Sequence, residues 1–321
     1  MAETEKKKKP LVLVQKPMMR MTYVLIPVFL ASVYFFGWRS LLIMAVVNVV
    51  GFLTEFLLTR SFKQQVSSAI FVTNILFALS LPPTIPIWIA AVGIVFGVVF
   101  GKMVFGGFGR NVFNPAISGR AFIYISFGIP LTSRWVEPLS GGAAGFTAWK
   151  ADAVASATPL AALSGGGEVP AVRLLLGNTS GSFGETFALL ILLCGIILMI
   201  WKVASFRTIL GGMIGFGVLQ TIFWLAGIES AIHPLYAYIS GSFLFGVMFN
   251  ITDPISASQT TDLGRWIYGA FFGVLCSLIR TFSAWPEAVT FAVLIANMFA
   301  PLLNHVIKQS KENAKAKGGA A

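Results

Sequence analysis

The sequence predicts an all-α polytopic membrane protein, with about ten transmembrane helices arranged as two inverted five-helix repeats that contain broken helices. Three observations carry that prediction. Hydrophobic residues make up 56% of the 321 positions and charged residues only 11%, more apolar surface than a water-soluble core of that size can hold. Apolar runs recur at lengths that cross, or nearly cross, the hydrocarbon core of a bilayer. Short strings from the first half of the chain return in the same order in the second.

The runs lie at about residues 21–37, 41–58, 66–80, 87–105, 119–131, 185–201, 208–226, 236–250, 265–280 and 287–303. Several are short and interrupted by Pro or Gly, notably "LSLPPTIP" and "FNITDPISAS". Such interruptions mark broken helices rather than continuous rods. The opening "MAETEKKKKP" has no short apolar core followed by a small-residue cleavage site, so the first span is expected to deliver the chain to the membrane.

Charge sets the orientation. With the N-terminus in the cytoplasm, eighteen of the 23 Lys and Arg fall on inner segments and tails; Arg39, Arg134, Lys150, Arg173 and Arg280 fall outside. That bias satisfies the positive-inside rule and predicts a multi-pass cell (inner or plasma) membrane protein with both termini cytoplasmic. The net charge of +11 therefore reads as orientation, with anionic lipid as partner of the basic tails. No base-reading motif is present, and no nucleic-acid partner is expected.

"SFK" at 61–63 matches "SFR" at 205–207, "GIVFGVV" at 93–99 matches "GAFFGVL" at 269–275, and "NVFNP" at 111–115 matches "NMFAP" at 297–301. Five spans per half is an odd number, so the second half must enter the membrane upside down, with a pseudo-two-fold axis in the membrane plane. The predicted divisions are a basic tail over 1–20, a first repeat over 21–131, an extracytoplasmic loop over 132–184, a second repeat over 185–305 and a basic tail over 306–321. Cys194 and Cys276 both fall in apolar runs. Two thiolates cannot complete a four-ligand site, so both read as packing residues and no metal site is expected.

The one long loop holds "ADAVASATPLAAL", residues 151–163. Thr158-Pro159 is a good helix start, since a threonine hydroxyl caps free amides and proline suits the first helical position. A second reading comes from a family. "DAVASATPL" resembles the Asp-x-x-Ser/Thr-Gly-Ala-Thr pattern of the RnfD/NqrB family, which comprises the D component of the Rnf ferredoxin–NAD electron-transport complex and the B component of the sodium-pumping NADH–quinone reductase. Asp152, Ala157, Thr158, Pro159 and Leu160 match; Ala155 and Ser156 stand where the family has Ser or Thr and Gly. "GGFGRNVFNPAISGRAF" (106–122), "FNITDPISA" (249–257) and "GFLTEFLLTR" (51–60) are similar to three further family segments, so the resemblance runs from about residue 20 to 305.

The resemblance implies a covalent FMN, attached by phosphoester to Thr158, with Asp152 part of what the flavin transferase recognises and Ser156 and Ala157 as cofactor-binding candidates beside it. It also implies a second, non-covalent flavin, riboflavin or FMN, near the inner side. There Asn111, Asn114, Arg120 and Asp253 are the candidate hydrogen-bonding residues. Asparagines and aspartate at such positions also serve as turn and helix caps, and an arginine there also satisfies the positive-inside rule. Glu55 is a carboxylate inside an early span, costly unless paired or wet. It is a candidate for a Na⁺ or H⁺ path, or for pairing with a basic residue of a neighbouring subunit. His233 and His305 read as interfacial.

At 321 residues, without a longer N-terminal extension, the chain is expected on the Rnf side of the family. It would then relay electrons in an ion-translocating ferredoxin:NAD oxidoreductase while not being catalytic alone. Its partners would be an FMN-bearing G-type subunit, iron–sulfur membrane subunits and an NAD-binding C-type subunit. The alternatives are the related component of the NADH:quinone reductase, a flavin-free secondary transporter or channel of inverted-repeat fold, and a membrane scaffold.

Overall fold

The computed structural model describes residues 10–140, 143–149, 157–257, 259–283 and 287–318. A short strand β1 (Val12–Leu13) precedes α1 (Lys16–Phe36) and α2 (Trp38–Ser61). Strand β2 (Val66–Ser67) pairs in parallel with β1, Val12 opposite Val66, and leads into α3 (Ala69–Leu79). Then come α4 (Ile87–Val98), continued by a π-helical turn at Val99–Met103, and α5 (Pro115–Ser126) with α6 (Gly128–Thr132). The long loop carries two short helices, α7 (Pro159–Ser164) and α8 (Ala171–Leu176). The second half consists of α9 (Ala188–Ile200), α10 (Phe206–Leu225), α11 (Pro234–Ile239), α12 (Phe243–Phe245) with a π turn at Gly246–Asn250, α13 (Asp262–Phe282) and α14 (Ala288–Gly318).

Among the described residues, five helices are long and apolar enough to cross a bilayer: Lys16–Phe36, Trp38–Ser61, Phe206–Leu225, Asp262–Phe282 and Ala288–Asn313. Others are short. The 11 residues of α3 rise only about 17 Å, roughly half of the hydrocarbon core. The predicted span at 236–250 is broken between α11 and α12, where Gly241 has φ +65°, a conformation that glycine adopts without penalty.

Inversion is visible at the contact between the halves. At one end of α1, Arg20 Nη1 donates to the Trp201 carbonyl just past α9, at 3.2 Å; at the other end, Phe35 packs edge-on to Phe187 just before α9. The first helices of the two halves are therefore antiparallel. Within each half the second and fourth helices run parallel. Gly51 of α2 lies against Ile94 of α4 and Glu55 against Lys102 further along, while Gly211 and Gly215 of α10 lie against Trp266 and Ala270 of α13. Small residues let these backbones approach closely, as membrane helices require. The three matched pairs of strings fare unevenly. "GIVFGVV" and "GAFFGVL" fall on the corresponding helices α4 and α13, whereas "SFK" ends α2 and "SFR" begins α10. "NVFNP" leads into α5, but "NMFAP" lies inside α14. Close backbone packing constrains the glycine-bearing string to its register; the other two pairs fall at positions that do not correspond.

Aromatic rings cluster in the core of the second half. Phe216 stacks on Phe243 at 3.9 Å between ring centroids, and Tyr268, Phe249 and Phe272 are fully buried. Leu53, Leu57, Ile214, Val218, Ile222 and Leu225 face outward, as lipid-facing residues do. The long loop is stitched to the α1–α2 elbow: Leu139 N donates to the Phe35 carbonyl at 2.7 Å, Trp38 N to Ala148 at 3.1 Å and Arg39 N to Trp149 at 2.8 Å. That places the loop at the face opposite the N-terminal end of α1. Helix α14 runs antiparallel to α13, with Asn297 on Tyr268 and Asn304 on Thr260, and so returns the C-terminal end to the N-terminal face.

Candidate functional site

The turn at Val99–Met103 is π-helical, a local widening found often at functional positions. It carries Lys102, whose Nζ donates to Glu55 Oε2 at 2.6 Å; both side chains are almost wholly buried, 2% and 1% exposed. The other oxygen, Glu55 Oε1, accepts from Ser67 N at 3.0 Å. The carboxylate caps the end of strand β2, which pairs with β1. Glu55 thus finds its partner within the chain rather than on a neighbouring subunit, and the pair satisfies the demand that a charge inside a membrane be compensated.

Lys102 lines one narrow cleft together with Asn111, Asn114 and Asp253, and Met18, Met21 and Phe108 close its apolar side. Three of the four residues expected from the sequence therefore converge. Each also has a local task. Asn114 caps α5, its Oδ1 accepting from Ala116 N at 3.0 Å and Ile117 N at 3.4 Å. Across the halves, Asn114 N donates to Asn297 Oδ1 at 3.0 Å and Asn114 Nδ2 to the Asn250 carbonyl at 3.4 Å. Asn111 Nδ2 donates to the Phe113 carbonyl at 3.0 Å. The Asp253 carboxylate accepts from Ser256 Oγ at 2.6 Å and Ser256 N at 3.2 Å.

Arg120 lies apart from this group. The hydropathy pattern starts a span at 119, but Asn114 and Pro115 start the helix earlier, because a cap and a first-position proline outweigh the polarity of Ser118, Gly119 and Arg120. Arg120 consequently sits in the second turn of α5 rather than at its start. It makes a two-pronged ion pair with Glu287, Nε to Oε2 at 3.0 Å and Nη2 to Oε1, and Thr290 Oγ1 donates to the same carboxylate at 2.8 Å. A separate cavity there includes Arg120, Ser182, Glu185 and Asn250. The pair clamps α5 of one half to the start of α14 of the other.

Thr158 is the N-cap of α7, its Oγ1 accepting from Ala161 N at 3.3 Å, with Pro159 at the first helical position and buried. The capping interpretation is what the structure shows. Thr158 is half-buried, the neighbouring Ala157 is exposed, and the Ala157 carbonyl accepts from Ser180 Oγ at 2.7 Å. Leu160, two residues on, reaches Gly241 near the C-terminal end of α13, so Thr158 stands at the face opposite the Lys102 cleft. Asp152 and Ser156 lie outside the described residues.

Sequence reasoning counts Lys102 only as an inner basic residue and passes over Glu287. A lysine so late in the apolar run at 87–105 is the available signal for the first. For Glu287 the only signal is its place at the head of a predicted span. Both cysteines are buried and free, and among the described residues no cluster of ligating side chains could hold a metal ion.

Two inverted halves, half-length helices and ion pairs buried between helices define a polytopic membrane protein built from repeats. The family model described as the NQR2, RnfD, RnfE family matches residues 9–313, and the chain belongs to that family. It is 39% identical over 290 residues to the B subunit of the Na(+)-translocating NADH-quinone reductase of Klebsiella pneumoniae subsp. pneumoniae, covering 85% of this chain and 70% of the relative. It is 39% identical over 299 residues to the protein of the same name from Yersinia pestis, covering 88% and 72%. With that of Azotobacter vinelandii it shares 40% over 275 residues, covering 84% and 66%. These names favour the NADH–quinone branch over the Rnf branch expected from the sequence; the family itself spans both.

Proposed function

We propose that the chain is the flavin-carrying membrane subunit of an ion-translocating NADH–quinone reductase complex, with one flavin site at each face. The observation that carries this reading is 39% identity to such a B subunit over 85% of the chain. Thr158 supports it as the FMN anchor, because it is half-buried at a helix start and next to an exposed residue, where a transferase can reach it. Asp152 and Ser156, with Ala157, would form the recognition segment. A flavin supplies the one- and two-electron chemistry; the protein binds, orients and tunes it.

The inner cleft has hydrogen-bonding groups suited to a second flavin, riboflavin or FMN: two amides, a carboxylate and an ammonium group around apolar walls. As it stands its free volume is about 30 Å³, room for little more than a water molecule. A ring would enter only with Met18, Met21 and Phe108 swung aside. Asn111 and Asn114 would then meet the ring's polar edge, with Lys102 and Asp253 setting the local charge. Arg120, held by Glu287, contributes through the frame. Glu55, bound to Lys102 at the cleft wall, is the candidate through which a Na⁺ or H⁺ path senses that charge. The partners would be the other membrane and NAD-binding subunits of such a complex, including a second FMN-bearing subunit and iron–sulfur membrane subunits.

The test is to purify the complex from its host membrane, denature it and look for flavin fluorescence on the band of this chain. The expected result is a fluorescent band that Thr158→Ala darkens. A dark wild-type band would favour a flavin-free transporter. Assay of the same preparation with NADH and quinone, and separately with reduced ferredoxin and NAD⁺, decides between the two branches of the family.

A further inference from the structure

At the face that carries both chain ends, a cavity of about 570 Å³ opens between the α9–α10 turn and the segment after Asp253. Its volume falls in the range of sites that take whole small ligands. Lys202, Arg207 and Arg265 stand on its wall, and Arg20 reaches the adjoining Trp201 carbonyl. Two of these cations share one exposed carboxylate: Asp262 accepts from Arg207 Nη2 at 3.0 Å and from Arg265 Nη1 at 3.3 Å. Asp253 also faces the cavity, but its oxygens are taken up by Ser256 and Ile255 N. Lys202 is exposed and has φ +56°, an uncommon conformation for a side-chain-bearing residue. Among the described residues it has no carboxylate partner.

The mouth of this cavity leads onto an apolar track. Phe206, Leu210, Ile214, Val218 and Ile222 are all exposed and recur every four residues along α10, so they form one stripe down the helix. A basic cavity at the start of α10 therefore continues into an exposed apolar strip that runs about 24 Å along the helix, from Phe206 to Ile222. A soluble anion would use the first feature and not the second; a partner subunit would not require the second to be lipid-exposed along its length.

We propose that this cavity binds the phosphate head group of an anionic phospholipid, with Lys202, Arg207 and Arg265 as its cationic ligands and an acyl chain laid along the α10 stripe. Phosphatidylglycerol is an anionic phospholipid of this kind. The site follows from the shape and charge of this face and does not depend on the redox reading. Basic pockets between helices on the cytoplasmic side are a recurrent solution for anionic lipid.

The complex purified from its host membrane and exchanged into lipid nanodiscs provides the test, with photoreactive phosphatidylglycerol and photoreactive phosphatidylcholine as probes. In the unmodified protein, phosphatidylglycerol should label peptides spanning residues 199–210 and phosphatidylcholine should not. Lys202→Gln with Arg265→Gln should reduce phosphatidylglycerol retention, read by native mass spectrometry, by about tenfold. Equal labelling by the neutral lipid, labelling confined to other segments, or unchanged retention in the double variant would each overturn the proposal. So would protection of the peptide by inorganic phosphate without lipid retention, or cross-linking from position 202 to another subunit in place of lipid.

Discussion

Glu55 and Lys102 neutralise each other where neither has access to water. Removing one partner leaves the other charge stranded, which costs about 3–5 kcal/mol for a buried pair. Glu55→Gln is therefore expected to lower the unfolding free energy in detergent by that order. Glu55→Gln combined with Lys102→Met should recover most of the loss, because an uncharged pair of similar size needs no compensation. A double-mutant cycle by thermal unfolding measures the coupling. Should Glu55→Gln leave the Na⁺ or H⁺ flux per electron unchanged in vesicles, Glu55 has no part in the ion path. Thr158 carries a distinct prediction. Thr158→Ala removes the α7 cap, at about 1 kcal/mol, and also the proposed flavin anchor, whereas Thr158→Ser keeps a hydroxyl for both roles and should retain measurable flavin. Glu55 is legible in the sequence as a lone acid in an apolar run. Its partner is not, because Lys102 lies 47 positions away near the end of a run, where basic residues commonly reach out to the interface.

Helices α10 and α13 touch through backbone. A Cβ on Gly215 would meet the Ala270 backbone and one on Gly273 would meet that of Gly212 and Phe216, with no flexible side chain there to yield. Gly215→Val or Gly273→Val should therefore cost about 1–3 kcal/mol, the usual range for overpacking, read as a lower melting temperature and weaker assembly. Gly227, where an added Cβ meets nothing but φ is +73°, reports conformational strain alone: Gly227→Ala should cost about 1 kcal/mol. At this scale the sequence is informative where proline and glycine interrupt apolar runs, as around "LSLPPTIP" and "FNITDPISAS". The π turns leave no trace in it, since they require no special residue type. The start of α5 is misread because hydropathy weighs side chains and not the caps that begin helices.

Seen whole, the molecule separates two places. Thr158 belongs to the loop face, and the Lys102 cleft and the large basic cavity belong to the face where both chain ends emerge. Cysteine labelling checks this division, with little background from Cys194 and Cys276, which are both buried. Ala157→Cys and Lys202→Cys, probed in sealed vesicles with a membrane-impermeant maleimide, should react from opposite sides. Reaction of both from one side would overturn the topology. The basic-residue bias puts both chain ends on one face, as the helix packing does, even though Lys102 and Arg120, counted with the inner loops, are buried. What no single-chain pattern could supply is the ion pair from α5 to α14, for which the two halves must first be docked.

The antiparallel meeting of α1 and α9 bears on how such a chain acquires its direction. A five-helix unit that fits against an overturned twin has no intrinsic up or down, so the packing itself is indifferent to which leaflet it faces. Handedness toward the cell must be imposed from outside the fold, by lysines and arginines at its rims. Shifting a few of them from one rim to the other should yield a population threaded backwards, equally well packed and delivering Thr158 to the wrong compartment.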